Sequence, residues 1–210
     1  MANAQTIGAA RPTSFGGWPL FGFNAFALTL MAIVLAGSRA FDVEGVRLVV
    51  RTTAQTSLLF FCIAFSASSL HGLVPFGLTR WLLANRRYFG VTFAYSHFLH
   101  AVGIYAFATL DPATFATQAN TIMFVFGGLG YAFIVLMTLT SFDATAALIG
   151  PRAWQALHTT GAYYIWGVFL ISEGRRAITD SYYWPFVGAL FAVMALRLLA
   201  GGAKRSYQTS

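Results

Sequence analysis

The stretch RRYFGVTFAYSHFLHAVG, residues 86–103, decides the fold of this chain. It opens with two arginines and continues as an apolar run whose length and composition predict a buried helix. The run carries His97 and His100, three residues apart, and a third histidine, His158, lies in a similar run, WQALHTTGAYYIW. Histidine is costly inside a membrane segment, so its presence in such runs points to a functional site.

The composition is that of a polytopic membrane protein. Of the 210 residues, 58% are hydrophobic and 9% are charged, whereas a soluble domain carries about 25% charged residues. An aromatic fraction of 17% fits a packed interior with interfacial belts. The single cysteine, Cys62, excludes an intrachain disulfide.

Six apolar runs follow a polar N-terminal segment, and each is near the roughly 20 residues that a helix needs to cross a bilayer. We predict an all-α integral membrane bundle of six helices over residues 18–201, with tails at 1–17 and 202–210. The predicted spans are 18–38, 54–73, 88–110, 121–142, 153–173 and 181–201. A short interfacial helix is expected between spans two and three, and a helix break is expected at Gly150 and Pro151. The N-terminal segment has no short apolar core followed by a cleavage site, so no cleaved signal peptide is expected.

The net charge of the chain lies on one predicted face of the membrane. With six spans, both termini and the loops 2–3 and 4–5 share a side of net charge +7, and the opposite side is neutral. The charged residues of the first side are Arg11, Arg80, Arg86, Arg87, Arg152, Arg197, Lys204 and Arg205, against Asp143. The positive-inside rule predicts cytoplasmic termini, in the inner membrane if the protein is bacterial. Because these cations are spread over loops and tails at a membrane face, the basic balance does not indicate a nucleic-acid partner.

All four histidines of the chain, namely His71, His97, His100 and His158, fall in or beside apolar spans. At the helical rise, His97 and His100 lie about 13 Å and 18 Å, and His158 about 8 Å, from the cytoplasmic starts of their spans. His71 ends span two near the same side. Neutral imidazole is a good ligand for haem iron, and two histidines from facing helices leave no open site, which suits electron transfer. The pattern therefore predicts a haem-carrying bundle that moves electrons.

Other residues of these two spans suit a flat cofactor. Gly90 and Gly161 are small enough for a macrocycle, or simply a neighbouring helix, to approach. Arg86 and Arg87 are candidates for pairing with haem propionates, and the alternative is a topology signal that contacts lipid headgroups. The spans offer no nucleophile–base pair and no paired carboxylates, so no catalytic residue is predicted.

At these residues the chain resembles the ferric-reductase-like transmembrane domain superfamily. That group includes the haem-binding membrane subunit of the bacterial methionine sulfoxide reductase system, the STEAP metalloreductases and the NADPH oxidases. One shared feature is RR-x-x-G with a histidine ten residues after the glycine, here Arg86, Arg87, Gly90 and His100. The second is W-x-x-L-H at the head of a later span, here Trp154, Leu157 and His158. The resemblance covers roughly residues 50–175 and implies b-type haem held by histidines of spans three and five, with electron transfer across the membrane.

The chain departs from this pattern at the histidines. Several members carry a further histidine about thirteen residues after the one in W-x-x-L-H, and that position here is Ile171. The resemblance implies that the missing residue would pair with His100, whereas His97 is additional. By depth, His97 is the nearer match to His158, with an offset of about 5 Å against about 10 Å for His100. Helix tilts of about 20° absorb such offsets, so His97 and His100 both stay open as the partner of His158.

The expected cofactor is one haem b, with a second haem held open. A second haem would need a fourth ligand, and His71 is the remaining candidate, equally suited to a propionate or headgroup contact. The residues after span six leave no room for flavin and nicotinamide domains, and no G-x-G-x-x-G lies in a βαβ setting. The expected electron donor is therefore a separate flavoprotein or a quinol, with this chain as the electron-transfer membrane component of an oxidoreductase.

Two other functions stay open on the sequence alone. The pattern H-x-x-H on one helix face also chelates metals, so a copper or zinc site at His97, His100 and His158 is one alternative. The other is a cofactor-free transporter or partner subunit whose histidines only hydrogen-bond between helices.

Overall fold

The computed structural model describes residues 15–119 and 121–208, and these residues form helices joined by short turns. The helices are α1 Trp18–Gly37, α2 Val43–Leu73, α3 Gly77–Ala84, α4 Arg86–Leu110, α5 Pro112–Gln118, α6 Thr121–Leu139, α7 Asp143–Thr179 and α8 Trp184–Gln208, with a 3-10 turn at Ser181–Tyr183 before α8. Most of the predicted tail at 1–17, including Arg11, lies outside the described residues, as do the side chains of Lys204 and Arg205. The predicted all-α membrane fold is confirmed.

The described helices include fewer candidate membrane spans than the six predicted. Three described segments are long and apolar enough to cross a bilayer: Trp18–Gly37, Val43–Leu73 and Ser181–Ala203. The pair α6 and α7, bent by 114°, is a fourth candidate if taken as one broken span. Helix α4 has 25 residues, enough for about 37 Å, but its histidines and other polar side chains lower its mean hydropathy. The count of six therefore stays a prediction.

Two helix boundaries differ instructively from the predicted spans. Helix α2 begins at Val43 rather than at 54, because the Asp42 carboxylate accepts a hydrogen bond from the Gly45 amide at 2.8 Å and caps the N-terminus. Helix α7 runs from Asp143, but Gly150 has φ +75° and is followed by Pro151. This interrupts the helical backbone at the predicted position, since only glycine adopts such a φ without strain.

Helix α2 lies at the centre of the bundle and packs against α1, α3, α4 and α8. The crossing of α2 and α4 is close: a Cβ on Gly103 would lie 2.9 Å from Cγ2 of Val50. Helix α7 packs against α6 and α8 and turns one stripe of residues inward. Aromatic rings fill the space between α2, α4 and α7, with ring centroids of Phe61, Phe93 and Phe169 5.6–6.2 Å apart. Because lipid is as apolar as these rings, close packing rather than water exclusion holds the helices together.

Candidate functional site

A cavity of about 310 Å³ lies among α2, α4, α6 and α7, beside the first turn of α4. Four residues singled out in the sequence line it, namely Arg86, Arg87, Gly90 and His158. Its volume falls at the lower end of the range of about 300–1,000 Å³ for ligand pockets. Arg86, Arg87 and Gly90 of the first motif therefore meet His158 of the second at one cavity.

The histidine of this cavity is held by the turn of α7 that precedes it. The indole of Trp154 stacks on the His158 ring at 4.1 Å, since residues four apart share a helix face. The same indole donates to the backbone oxygen of Thr140 at 2.8 Å, and Nε2 of His158 lies 3.0 Å from the Thr140 hydroxyl. That hydroxyl donates to the Leu136 carbonyl at 2.7 Å, so Nε2 is the donor toward it. The spacing W-x-x-L-H thus fixes the imidazole against the end of α6.

The wall formed by α4 combines open space with positive charge. A Cβ placed on Gly90 would meet nothing within 4 Å, so this glycine leaves a cradle that a side chain would fill. Arg86 is near enough to His158 for its charge to act on the imidazole. Arg87 instead donates a hydrogen bond to Asp143, and this bond and the charge of Arg87 hold the pKa of the Asp143 carboxyl below its usual range.

Arg197 of α8 is a site residue that the sequence interpretation assigned only to topology. Its guanidinium lies 4.2 Å from the Phe65 ring centroid and 5.2 Å from that of Tyr163. It also donates to the Phe65 backbone oxygen at 2.9 Å, and Phe65 lines the cavity. An arginine within an apolar span was the available signal, because such charges are rare there and usually functional.

His97 and His100 form a second group, one layer further along α4. The His97 ring lies 5.2 Å from that of His100 and 4.8 Å from that of Tyr131. Phe93, which lines the cavity, is 5.7 Å from His97 and separates it from the open space. Nδ1 of His97 is buried without a hydrogen-bond partner, and such an atom calls for an explanation.

The orientation of His100 is fixed by α2. Its Nδ1 donates to the backbone oxygen of Val50 at 2.8 Å, with the Thr53 hydroxyl 3.4 Å away. The Ser96 hydroxyl donates to the Thr53 backbone oxygen at 3.1 Å and joins the same buried polar group. A histidine whose Nδ1 donates to a carbonyl presents Nε2 as its free lone pair, the usual arrangement of a metal-ligating imidazole.

The register of α4 and α7 corrects the depths estimated from the sequence. The Phe169 ring lies 6.0 Å from His97, so this part of α7 is level with His97. His158 is eleven residues earlier, which is about 16 Å along the helix rather than the 5 Å expected. Within the described part of the chain, the lining of the cavity includes neither His97 nor His100. The estimate assumed that both spans begin at the same depth, whereas His158 lies beside the first turn of α4.

Two predicted cofactor residues have structural contacts elsewhere. Nδ1 of His71 lies 3.1 Å from the Thr79 hydroxyl and ties the end of α2 to α3. A Cβ on Gly161 would lie 2.5 Å from Sδ of Met137, so the lack of a side chain at Gly161 lets α6 pack closely against α7. Neither residue is among those that line the cavity in the described structure.

The described residues contain no group of three or more histidine, cysteine, aspartate or glutamate side chains placed to hold a metal ion. A bare copper or zinc ion would find two neighbouring imidazoles at His97 and His100. Proteins bind such ions with three or four side chains, so the geometry gives the chelation alternative no support.

Among known proteins, the chain is similar to the protein-methionine-sulfoxide reductase heme-binding subunit MsrQ of Ralstonia nicotianae, with 28% identity over 172 residues. The match covers 80% of this chain and 76% of that protein. No protein-family model matches the sequence, and no solved structure matches it. The similarity is distant, and it agrees in kind with the resemblance seen at the two motifs.

Proposed function

We propose that this chain is a haem-binding membrane protein that transfers electrons as the membrane component of an oxidoreductase, with both termini in the cytoplasm. The observation that carries the proposal is the cavity at which Arg86, Arg87, Gly90 and His158 meet. The similarity to a subunit named for haem binding supports it independently.

The residues present fit a haem on three counts. Gly90 leaves an open cradle, the buried Nδ1 of His97 lacks a partner, and His158 offers an imidazole at the cavity wall. Arg86 and Arg87 supply cations for two propionates. The single cysteine excludes attachment through C-x-x-C-H, and the cofactor that we propose, following the resemblance, is haem b held without covalent bonds. When bound, it supplies a one-electron iron couple.

We assign the axial ligands to His158 and His97. His97 contacts Phe93, the residue between it and the cavity, whereas His100 lies three residues further along α4. His158 lies about 16 Å along α7 from the level of His97, so ligation of one iron by both requires the two helices to shift relative to each other. The Phe93 ring must also move aside, and His158 must exchange its bond to Thr140 for the iron. His100 stays fixed to α2 and holds the helix that carries His97. One haem accounts for these ligands, and His71 is left to its contact with Thr79.

The proposed surroundings are a lipid bilayer and a separate redox partner. The relative is named as a subunit of a reductase, which supports a role for this chain beside a second protein. We propose a separate flavoprotein or a quinol as the electron donor. Arg86 and Arg87, which line the cavity, lie on the side of the membrane that the charge distribution assigns to the cytoplasm.

Haem content of purified variants tests the ligand assignment. We expect His158→Ala and His97→Ala each to lose most of the bound haem, because one imidazole cannot replace a bis-histidine pair. The matched control is His71→Ala, which removes a histidine outside the cavity and keeps haem at the wild-type ratio. Loss in His100→Ala with retention in His97→Ala would transfer the α4 ligand to His100. Retention in all variants would contradict haem ligation, and metal analysis of the same samples would then detect any bound copper or zinc.

A further inference from the structure

Glu173 is a buried acid that the proposed electron path does not yet use. The predicted fifth span ends at Glu173, but α7 continues to Thr179 and carries Glu173 inside the bundle. Its side chain is 2% exposed, and its Oε2 atom has no hydrogen-bond partner. A carboxylate in such a place is costly unless it is neutralised or has a function.

The helical repeat places Glu173 beside the histidines of α4. The buried stripe of α7 consists of residues spaced by four, namely Gly161, Ile165, Phe169, Glu173 and Ala177. Phe169 lies 6.0 Å from the His97 ring, and Glu173 is the next residue on the same face. Neighbours at this spacing are about 5–6 Å apart. Two unpartnered buried atoms, Nδ1 of His97 and Oε2 of Glu173, therefore flank Phe169.

Arg176 links this acid electrostatically to the second imidazole. Its positive charge acts on the Glu173 carboxyl and also on His100. Its guanidinium lies 5.5 Å from the ring centroid of Tyr183, the residue just before α8. The acid, the cation and the histidines therefore form one electrostatic group within the bundle.

The other charged and titratable groups near this level are few. On α2 the buried Thr53 and the half-buried Gln55 do not titrate, and Arg51 is exposed. Asp180, just beyond α7, is exposed, and α8 carries no charged residue before Arg197. In the described structure Glu173 is thus the only carboxyl buried beside the histidine pair.

We propose that Glu173 takes up one proton when the haem site gains one electron and releases it when the electron leaves. This inference rests on the proposed function. One electron from the flavoprotein or quinol would enter the haem site, and one proton from the aqueous phase would bind the Glu173 carboxylate to form the neutral acid. The net charge of the haem site and Glu173 together is then unchanged. In an interior of low dielectric, an uncompensated charge added beside His97 would act on the Glu173 carboxylate across the intervening Phe169 ring.

The experiment compares the pH dependence of the midpoint potential in the haem-loaded wild type, Glu173→Gln, Glu173→Asp and Glu44→Gln. We expect the wild-type potential to fall with rising pH, by up to about 59 mV per tenfold change in proton concentration for one electron. Glu173→Gln, which cannot titrate, should lose most of this slope. Glu173→Asp should keep a slope over a displaced pH range. Glu44, 68% exposed at its side chain, is the matched control and should behave as wild type.

Infrared difference spectra of the same samples give a second readout. Reduction of the wild type should produce the carbonyl stretch of a neutral carboxylic acid, which Glu173→Gln lacks and Glu173→Asp shifts. An unchanged slope in Glu173→Gln, or no slope in the wild type, would overturn the proposal while haem binding stands. A wild type without haem would instead contradict the proposed function. If Glu173→Gln does not fold, the infrared shift in Glu173→Asp decides the assignment.

Discussion

Nδ1 of His100 donates to the backbone oxygen of Val50 at 2.8 Å, and this bond joins α4 to α2. The bond forms because Gly103, on the same side of α4, lets the two helices approach: its missing Cβ would lie 2.9 Å from Cγ2 of Val50. Gly103, which belongs to neither sequence motif, therefore controls the position of His100, which belongs to the first motif. This relationship gives the first prediction.

Replacement of Gly103 by Ala should destabilise the protein and disturb His100. Overpacking of a close contact costs about 1–3 kcal/mol, and the better helix propensity of alanine offsets up to about 1 kcal/mol. At about 2–4 °C per kcal/mol, the midpoint of thermal unfolding should fall by several degrees. The measurement is thermal unfolding in detergent, with haem content followed in parallel.

Gly167→Ala is the matched control for this experiment, because a Cβ at Gly167 would meet nothing within 4 Å on α7. It should leave the unfolding temperature unchanged or slightly higher. Equal destabilisation by both substitutions would show that the α2–α4 crossing has no special dependence on Gly103.

Gly90→Leu should expel haem without unfolding the bundle. The glycine borders the cavity, and a leucine side chain would occupy the cradle that the macrocycle needs. We expect haem content to fall several-fold, while the haem-free protein unfolds at or above the wild-type temperature because a void is filled. Absorbance at the Soret band relative to protein concentration measures the effect.

Gly188→Leu controls for adding an apolar side chain at an open glycine, since Gly188 is exposed on α8. That variant should bind haem as wild type does. Wild-type haem content in Gly90→Leu would place the cofactor outside this cavity.

The ion pair between Arg87 and Asp143 should contribute a small, pH-dependent stability. The hydrogen bond and charge of Arg87 lower the pKa of Asp143 in the folded state from its ordinary 3.8. A carboxyl with a lowered pKa adds stability above its unfolded value, and this stability is lost as pH falls through the folded value. Both side chains are exposed, so the effect is weak and screened by salt.

A double-mutant cycle with Asp143→Asn and Arg87→Gln measures this coupling. The coupling free energy of unfolding should be small and favourable at neutral pH and should disappear well below pH 3.8. A coupling that is the same at pH 7 and in acid would contradict a charge-dependent contact.

The sequence predicted the features that depend on local pattern. Apolar runs indicated the long helices, Gly150 with Pro151 indicated the break in α7, and motif spacing indicated residues that line one cavity. The early start of α2 was missed because a capped helix with Glu44 and Arg47 on its surface resembles a polar loop. Its cap, Asp42, was visible but was not used.

Features that depend on how helices slide and rotate against one another could not be predicted. The level of His158 relative to His97 is set by contacts such as that of Phe169, and no periodicity within one helix encodes it. The same holds for Gly161, whose neighbour Met137 belongs to another helix. Glu173 is the last residue of the predicted fifth span, and only the greater length of α7 reveals that it is buried.

The most direct test of the central claim is a reduced-minus-oxidised absorption spectrum of the purified chain, with pyridine haemochrome quantitation. We predict a Soret band, split alpha and beta bands after dithionite, and about one haem b per chain, as expected for bis-histidine ligation. Protein that folds and purifies without a Soret band, even after haem is supplied, would contradict the account.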